Sequence, residues 1–337
     1  MTSILVVGGG SAGKRHAGNF RDLGCDVSVV ETREDRRKEV EEKLGLKTFD
    51  SVQSAIAAGK PDGAVVAVPP KFHMPVAQEL VDNNIHTLIE KPPFHEWEGV
   101  DELYQKVKQN NLKVTIGFTH RFWRPLIKYK ELLPQIGKVL SVDAVYSEHG
   151  DDRHAGFGET AKDFFLGQAS LGGGALMEDC HPTDFVRWLF GEPQEVRAMT
   201  AQASGVGADV DDVAEMLIKT QECIIRVHVD MYGRPHQKKL EAIGTEGALR
   251  WNFYTNTVEL WKKGEKLKEM DCQTFHFEDD RNDMFIEEEK HFLEAITQGK
   301  ELLYPLEDGL KSFDLMLSAK QSADTGQAVK LPNLFKE

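Results

Sequence analysis

Short apolar runs alternate with helical patterns over the first third of the chain. The apolar runs are rich in β-branched residues and predict buried strands at 3–7, 27–30, 64–68, 87–89 and 113–118. Segments with helical periodicity lie between them, at 34–44, 51–58, 72–83 and 96–109. Another helix is expected after the first strand, where Ala12, His16, Phe20 and Leu23 recur at helical spacing. Apolar strands that alternate with helices predict a doubly wound α/β fold with a parallel sheet.

From about residue 139 the pattern changes to extended runs, many of which alternate apolar and polar residues. These runs predict strands at 139–146, 196–203, 212–220, 223–231, 236–243, 247–253 and 257–261. A helix is expected over 172–191. Two late helices carry apolar stripes that we assign to the core, at Phe285, Phe292, Leu293 and Ile296 and at Leu310, Phe313 and Leu317. The second half therefore predicts an α+β domain with a large, mostly antiparallel open sheet.

The bulk composition limits the classes of protein and partner. A length of 337 residues favours two domains, and we place the boundary between residues 122 and 123. The net charge of −14 argues against nucleic acid or an anionic membrane as a partner. No apolar run is long enough to span a bilayer, and MTSILVVGGG lacks the features of a secretory signal. The cysteines form no CxxC pair, so we expect free thiols and a cytoplasmic location.

A glycine-rich turn at residues 8–13, GGGSAG, follows the first predicted strand and precedes the first predicted helix. Gly8, Gly10 and Gly13 fit the G-x-G-x-x-G pattern, in which glycines allow a tight turn, close approach to a pyrophosphate and close packing of helix on strand. The helix N-terminus then offers N–H groups to the phosphates. We predict that residues 1–122 form a Rossmann-type dinucleotide-binding domain with cofactor contacts at Gly8, Gly10, Ser11, Ala12, Gly13 and His16.

Glu31 ends the second predicted strand, 18 residues after Gly13. A carboxylate at this position accepts hydrogen bonds from the adenosine ribose and repels a 2′-phosphate, so NAD is expected rather than NADP. Arg33, Arg36 and Arg37 follow closely and support the alternative, because they can hold a phosphate. The other alternative for Glu31 is a solvated loop acid.

Ligands of doubly wound sheets bind at the carboxyl ends of the strands. Two further segments, VVAVPPKFH and LIEKPP, reach that edge at the ends of the strands predicted at 64–68 and 87–89. We therefore expect additional cofactor contacts at Val68, Pro69, Pro70, His73, Glu90 and Lys91.

The chain resembles the glucose–fructose oxidoreductase/inositol dehydrogenase (Gfo/Idh/MocA) family over nearly its whole length. The matching segments are VVGGGSAGKRH (6–16), VVAVPPKFH (65–73), LIEKPP (88–93), GFTHRFWRP (117–125), GGGALMEDCHPTDFVRWLFG (172–191) and EDGLKSFDLMLSAKQSADTGQAVKL (307–331). The resemblance implies an NAD(P)-dependent dehydrogenase or reductase that acts on a sugar, cyclitol or related polyol. It also implies that residues 123–337 bind substrate, and that the chain forms a homodimer or homotetramer through the open sheet face.

By position, the resemblance carries the family's catalytic lysine and histidine over to Lys91 and His181. Oxidation of a secondary alcohol needs a base for the hydroxyl proton, and a histidine or a lysine with a lowered pKa suits that role. Pro182 places His181 near a helix N-terminus, where the helix dipole disfavours imidazolium. The non-catalytic alternatives are a lysine that extends from a strand end and a histidine that caps a helix or packs in the core.

The predicted substrate-binding residues are Asp184, Arg121 and Glu178. Asp184 can orient His181 or a substrate hydroxyl, or it can be an ordinary first-turn helix acid. Arg121 is a candidate contact of substrate or cofactor. The spacing Glu178-x-x-His181 is shorter than the family's commoner D-x-x-x-H, so Glu178 and Asp179 both stay open as the acid that assists His181.

A polar cluster at His149, Asp151, Asp152 and His154 precedes the segment GFG at 156–158. We interpret it as a mobile loop at the mouth of the substrate site and predict no metal site.

The predicted function is hydride transfer between NAD(H) and a hydroxyl or carbonyl of a sugar or polyol. One alternative is a glycosidase that uses bound NAD for transient oxidation. The other is a non-catalytic sensor or regulator that binds NAD, which would have no need of the proton-transfer pair Lys91 and His181.

Overall fold

The chain forms two units in the computed structural model, in which residues 1–153, 160–264 and 270–335 are described. Unit one consists of Met1–Thr119 and Phe285–Leu310, and unit two consists of His120–Met284 and Lys311–Glu337. The first break between the units lies close to the boundary expected after residue 122. The segment at 285–310 lies in unit one, although all residues beyond 122 were expected in the second domain.

Unit one is built on a parallel sheet. Its strands are β1 (Ser3–Val7), β2 (Asp26–Val30), β3 (Lys47–Phe49), β4 (Gly63–Val66), β5 (His86–Glu90) and β6 (Val114–Gly117). The order across the six-stranded sheet is β3-β2-β1-β4-β5-β6. This is the predicted Rossmann-type doubly wound sheet. The strand order reverses beside β1, and ligands of such sheets bind at the carboxyl ends of the strands at this point.

Helices connect these strands close to their predicted positions. They are α1 (Ser11–Asp22), α2 (Glu34–Leu44), α3 (Val52–Ala58), α4 (His73–Asp82) and α5 (Val100–Gln109). α5 begins after Gly99, whose left-handed backbone at φ 78° does not continue a helix, and not at residue 96 as predicted. β3 was not predicted because it is short and its residues are only partly buried or exposed.

Unit two is built on a mixed, mostly antiparallel sheet. Its strands are β7 (Val139–Ser147), β8 (Pro193–Ala201), β9 (Val213–Thr220), β10 (Ile224–Asp230), β11 (Gln237–Gly244), β12 (Gly247–Asn252), β13 (Thr257–Lys263), β14 (Met270–His276) and β15 (Val329–Lys330). Their order is β14-β13-β12-β11-β7-β10-β9-β8-β15, and β7 pairs with β10 in parallel. Alternate residues of β9 are exposed, so this sheet has one packed face and one open face, as predicted.

The helices of unit two include α6 (Arg124–Leu132), α7 (Gly150–Arg153), α8 (Ala175–Glu178) and α9 (His181–Phe190). The prediction of one helix over 172–191 was wrong, because α8 and α9 are separate. Pro182 has no N–H to bond the carbonyl of Glu178, and its ring would clash with that carbonyl in a continuous helix. The backbone leaves the helical conformation at Asp179, where ψ is 42°.

Two long helices, α10 (Asp283–Gln298) and α11 (Leu306–Thr325), complete the described fold. Phe292 of α10 is fully buried in the core of unit one with Ile4 and Val6. A Cβ atom at Gly63 would lie 2.9 Å from Ile296 and 3.2 Å from Phe292. The predicted core stripe of α10 therefore packs against β1 and β4, which explains why residues 285–310 belong to unit one.

No helix in the described part of the chain combines the length and the apolar character needed to cross a membrane. Cys25, Cys180, Cys223 and Cys272 are free thiols, as predicted.

Candidate active site

The glycine turn between β1 and α1 has the tight geometry that the sequence predicts. Gly8 has a φ of 117°, and a Cβ there would lie 2.3 Å from the carbonyl oxygen of Ala67. A Cβ at Gly13 would lie 1.8 Å from the carbonyl oxygen of Gly8, so the start of α1 packs directly on the turn. Apart from its chain neighbours, a Cβ at Gly10 would meet no atom of the described residues within 4 Å. α1 begins at Ser11, without a side-chain cap at Gly10, and its first N–H groups are therefore suited to bind an anion.

Glu31 lies beside this turn, at the carboxyl end of β2. Its Oε2 atom accepts a hydrogen bond of 3.0 Å from the N–H of Gly9, and its Oε1 atom accepts one of 2.9 Å from the N–H of Arg33. The residue is only 8% exposed, so a solvated loop acid does not describe it. The fold thus brings together the two features, turn and acid, that the motif needs.

The three arginines that follow Glu31 are engaged with protein acceptors. Arg33 donates to both carboxylate oxygens of Asp35, at 3.1 and 2.6 Å. Arg37 donates to the carbonyl oxygens of Glu31 and Thr32, at 2.7 and 2.9 Å. The guanidinium of Arg36 lies 4.0 Å from Glu31 Oε2.

The side chain of His16, a predicted cofactor contact, lies between two acidic residues of unit one. It is fully buried, its Nδ1 atom lies 2.6 Å from Glu289 Oε1, and its Nε2 atom lies 2.9 Å from Glu90 Oε1. Burial alone would lower the pKa of His16, but the hydrogen bonds with Glu289 and then Glu90 raise it to about 10. The raised pKa favours the imidazolium form of His16 between Glu289 and Glu90, while burial raises the pKa of Glu289. Both ring nitrogens of His16 are used within the protein. The prediction missed Glu289, which is remote in sequence.

The carboxylate of Glu90 links His16 to the backbone of Lys91. Its Oε2 atom accepts a hydrogen bond of 3.0 Å from the N–H of Lys91. Burial is the largest single influence and opposes ionisation of Glu90, but the hydrogen bond with His16, the charges of His16 and Lys91 and the bond from the Lys91 N–H together lower the pKa of the carboxyl group. The Lys91–Pro92 peptide bond is cis. Glu90 thus holds the backbone of the candidate catalytic lysine, and the cofactor contact predicted for it stays a prediction.

His73 joins the two predicted segments at the carboxyl edge of the sheet. Its ring nitrogens lie 3.0 Å from the carbonyl oxygen of Pro93 and 2.7 Å from that of Val68. The side chain is 1% exposed, so its contacts are with the backbone of the protein and do not support the predicted cofactor contact. Val68 and Pro69 are half-buried, whereas Pro70 is buried and begins a short 3-10 helix.

In unit two, His181 is the first residue of α9 and Pro182 lies in the first turn, as predicted. The ring of His181 is half-buried and packs against His120, with 4.1 Å between the ring centroids and 41° between the planes. His120 is buried, and its Nε2 atom lies 2.6 Å from the hydroxyl of Tyr146, which is also buried. His120 and Tyr146 were missed by the prediction, although His120 stands in the GFTHRFWRP segment beside Arg121.

Arg121 and Asp184 form a buried ion pair. Arg121 donates to Asp184 Oδ2 at 2.8 Å and to Oδ1 at 2.5 Å, and each side chain is 1% exposed. Ser312 donates to the same carboxylate at 2.6 Å and accepts from Arg187 at 2.9 Å. These charges are enclosed and bonded within unit two, which does not support the substrate contacts predicted for Arg121 and Asp184. Their geometry instead anchors α9, the helix that carries His181.

The two candidate acids before His181 differ in burial. Asp179 is 5% exposed, and its charge is one of the causes that raise the pKa of Tyr146, after burial and Glu148. Glu178 is half-buried. The substrate contact predicted for Glu178 stays a prediction.

Part of the polar cluster at 149–154 lies outside the described residues, namely His154 and the GFG segment at 156–158. Asp152 pairs with Arg234 at 2.6 Å and with His236 at 3.1 Å. Within the described ranges, no group of three or more His, Cys, Asp or Glu side chains is arranged to hold a metal ion.

Both units match models of one protein family. Residues 2–118 match the model described as an oxidoreductase family with an NAD-binding Rossmann fold. Residues 130–250 match the GFO/IDH/MocA C-terminal domain. The motifs of the glycine turn and of the segment before α9 thus lie within the two matched regions.

Two curated relatives are similar over most of the chain. The myo-inositol 2-dehydrogenase of Thermotoga maritima is 24% identical over 357 aligned positions, which cover 98% of this chain and 99% of that protein. The inositol 2-dehydrogenase of Corynebacterium glutamicum (strain ATCC 13032) is 27% identical and covers 78% of this chain and 77% of its own length.

Solved structures share the fold over the full length. Levoglucosan dehydrogenase in complex with NADH and levoglucosan aligns with a TM-score of 0.87 at 19% identity, covering 98% of this chain and 100% of that one. GenD2 from gentamicin A biosynthesis, in complex with NAD, aligns with a TM-score of 0.83 at 24% identity, covering 98% and 97%. Because family models match the NAD-binding domain and the C-terminal domain in turn, the chain belongs to the GFO/IDH/MocA oxidoreductase family.

Proposed function

We propose that the protein is an NAD(H)-dependent dehydrogenase that transfers a hydride between nicotinamide and a secondary hydroxyl or carbonyl of a sugar or cyclitol. The observation that carries this proposal is the buried carboxylate of Glu31, bonded to Gly9 within the glycine turn. The names of the relatives, inositol 2-dehydrogenases and levoglucosan dehydrogenase, support the substrate class. Unit one is the proposed NAD-binding domain, and unit two is the proposed substrate domain.

The glycine turn and Glu31 fit the cofactor. The N–H groups at the start of α1 would bind the pyrophosphate. Among the described residues, only chain neighbours would lie within 4 Å of a Cβ at Gly10, which leaves room for that approach. Glu31 would accept hydrogen bonds from the adenosine ribose. Arg33 and Arg37 are engaged with Asp35 and backbone carbonyls, which supports NAD over NADP.

The proposed oxidation removes a hydride from the carbon of a secondary alcohol and a proton from its hydroxyl group. NAD, when bound, supplies the acceptor for the hydride from the carbon that carries the hydroxyl. His181 accepts the hydroxyl proton, because a neutral imidazole at a helix N-terminus is suited to this step. Lys91, whose N–H is held by Glu90, is the second proton-transfer residue. In the reductive direction these residues return the proton to the carbonyl oxygen.

The two alternative functions gain no support from the comparisons. The inositol and levoglucosan enzymes are named dehydrogenases, and none of these three names describes a glycosidase or a sensor. We retain the expectation of a cytoplasmic protein, which rests on the free cysteines.

A screen of cofactor and substrate tests the proposal. The protein is mixed with NAD or NADP, and then with cyclitols, free sugars and nucleotide sugars, while the melting temperature and NADH absorbance are followed. We expect NAD to raise the melting temperature more than NADP, and at least one cyclitol or sugar to form NADH. The proposal fails if NAD leaves the melting temperature unchanged, or if sugar is cleaved without net NADH formation.

A further inference from the structure

A second imidazole, that of His120, lies against the candidate proton acceptor. The ring centroids of His120 and His181 are 4.1 Å apart. At this distance, a charge on one ring strongly affects the protonation of the other. The protonation state of His120 therefore matters for any reaction in which His181 accepts a proton.

The hydrogen bond from Tyr146 determines where His120 carries its proton. Burial, and next the charges of Glu148 and Asp179, raise the pKa of Tyr146 well above its ordinary value, so the phenol keeps its proton. At 2.6 Å the contact between the Tyr146 oxygen and Nε2 of His120 is shorter than a usual N–H···O bond, so the phenol is assigned as the donor and Nε2 as the acceptor. A neutral imidazole has one donor and one acceptor nitrogen, so the remaining proton of His120 lies on Nδ1.

The apolar surroundings of His120 also favour its neutral form. Its ring centroid lies 6.2 Å from that of Phe185 and 6.4 Å from those of Trp251 and Phe253. Aromatic side chains around a buried group disfavour its charged state. The side chain of His120 is 3% exposed, so water does not offset this effect.

The charged groups near Tyr146 form a largely balanced set. The ammonium of Lys238 lies 5.1 Å from the centroid of the Tyr146 ring, and it is paired with Glu148 at 2.8 Å. The charge of Asp179 raises the pKa of Tyr146, and the charge of Arg281 lowers it. Tyr254 also acts on Tyr146 electrostatically. The carboxylates of Glu148 and Asp179 favour a positive charge near Tyr146, whereas the cations of Lys238 and Arg281 oppose it, so these charges offset one another in sign.

We propose that Tyr146 and His120 are positioning residues for His181. The Tyr146 hydroxyl keeps the His120 ring neutral through its hydrogen bond, and the His120 ring fixes the plane of the His181 ring by packing against it. A protonated His120 would oppose the positive charge that His181 gains on accepting a proton, whereas a neutral ring does not. This inference rests on the proposed function, because His181 is taken as the proton acceptor. The inference assigns roles to Tyr146 and His120, through which His181 is the basic imidazole of this pair of rings.

The protonation state of His120 can be measured without any substrate. Protein labelled with ¹⁵N-histidine is studied by long-range ¹H–¹⁵N spectra from pH 6 to 8, with signals assigned by single histidine substitutions. In the wild type we expect His120 to be neutral at every pH, with the proton on Nδ1. In Y146F the neutral ring shifts towards the tautomer with the proton on Nε2. A protonated His120, or an Nε2–H tautomer in the wild type, overturns the proposal even if Y146F does not fold.

Tyr129 provides a matched control, because it is a fully buried tyrosine whose hydroxyl donates to the carbonyl oxygen of Leu249 at 3.4 Å. Y129F should leave the His120 tautomer unchanged. If it changes the tautomer as Y146F does, the effect is a general response to loss of a buried hydroxyl and the proposal fails.

Turnover then tests the consequence for His181, with the sugar or cyclitol that the screen identifies. We expect Y146F to lower kcat about tenfold, as the loss of one positioning hydrogen bond would, with the KM for NAD unchanged. H120Q, which cannot be charged, should leave the acidic limb of the kcat/KM pH profile within about 0.3 pH units of the wild type. A larger displacement means that His120 titrates in the wild type and contradicts the proposal. If no substrate is oxidised, the proposed function fails while the NMR result still decides the state of His120.

Discussion

The imidazolium of His16 joins three segments of unit one that are distant in sequence. It bonds Glu90 at the end of β5 and Glu289 in α10, and it belongs to α1 itself. The raised pKa of about 10 means that the folded protein binds this proton more tightly than the unfolded chain does. The resulting stabilisation is complete below the unfolded pKa of about 6.5 and is lost as the pH rises through 10.

H16Q tests this linkage at the residue scale. Between pH 7 and 10 the free energy of unfolding of the wild type should fall more steeply than that of H16Q, by a slope that approaches one proton. Urea denaturation at several pH values measures both slopes. H86Q is the control, because His86 accepts from the N–H of Lys113 and burial lowers its pKa. If the free energy of unfolding falls equally steeply with pH in wild type and H16Q, His16 does not bind a proton more tightly in the folded protein than in the unfolded chain.

The buried ion pair of Arg121 and Asp184 should contribute strongly to the stability of the fold. Replacement of Asp184 by Asn leaves an uncompensated guanidinium, so D184N should lower the free energy of unfolding by about 3–5 kcal/mol. In E287Q, which breaks the exposed pair of Glu287 with Lys290, the change should be below about 1 kcal/mol. Urea denaturation of both variants measures the difference. If D184N is as stable as the wild type but has a raised KM for substrate, the result would support the substrate contact that the sequence predicts for Asp184.

Among the elements, we expect the junction of β1, α1 and the end of β2 to determine the choice between NAD and NADP. E31A should raise the Kd for NAD about tenfold, because charge-assisted hydrogen bonds are lost, and should reduce the preference for NAD over NADP. Titrations with both cofactors, followed by tryptophan fluorescence, measure the two affinities. E34A changes an exposed acid in the first turn of α2 and should alter neither. If E31A binds NAD as tightly as the wild type, Glu31 does not bind the adenosine ribose.

The elements that sequence could predict are those that local pattern determines. The turn at 8–13, Glu31 and the start of α9 follow from glycine spacing, strand ends and Pro182, and the structure places all three as expected. The break before α9 was also encoded locally, by Pro182, but the longer apolar pattern obscured it. His120, Tyr146 and Glu289 were not predicted, because their roles arise from contacts between segments that are distant in sequence.

Burial changed the interpretation of several candidates for the same reason. A motif cannot show that His16, His73, Arg121 and Asp184 have protein partners for their polar atoms. The hydrogen-bond partners given above for these side chains are protein atoms within their own unit, and the ligand contacts predicted for them stay predictions.

At the scale of the whole molecule, the open face of the large sheet carries exposed apolar side chains. They are Leu140, Met199, Leu217, Ile224 and Ile243, at 46–75% exposure. A cross-strand pair between Arg226 and Asp143, at 2.9 Å, lies beside Leu217 in the register of β9, β10 and β7. We propose that a second copy of the chain covers this face, in keeping with the expected homodimer or homotetramer.

L217D tests this association. A charge at this exposed strand position should leave the fold intact but disfavour burial of the face against a second copy. Light scattering should give a dimer or tetramer for the wild type and a smaller species for L217D. L303D alters an exposed leucine in unit one and is the control. A monomeric wild type, or an unchanged assembly in L217D, would contradict the proposed interface.

We propose that His181 accepts the proton in an NAD-dependent oxidation, and the rate of single-turnover NADH formation by H181N is the decisive measurement of this role. We predict that H181N binds NAD with a Kd within about twofold of the wild type, while the rate of NADH formation falls at least about 100-fold. H276N, which changes an exposed histidine of unit two, should match the wild type in both measurements. A wild-type rate of NADH formation in H181N, on the substrate that the wild type oxidises, would contradict the account.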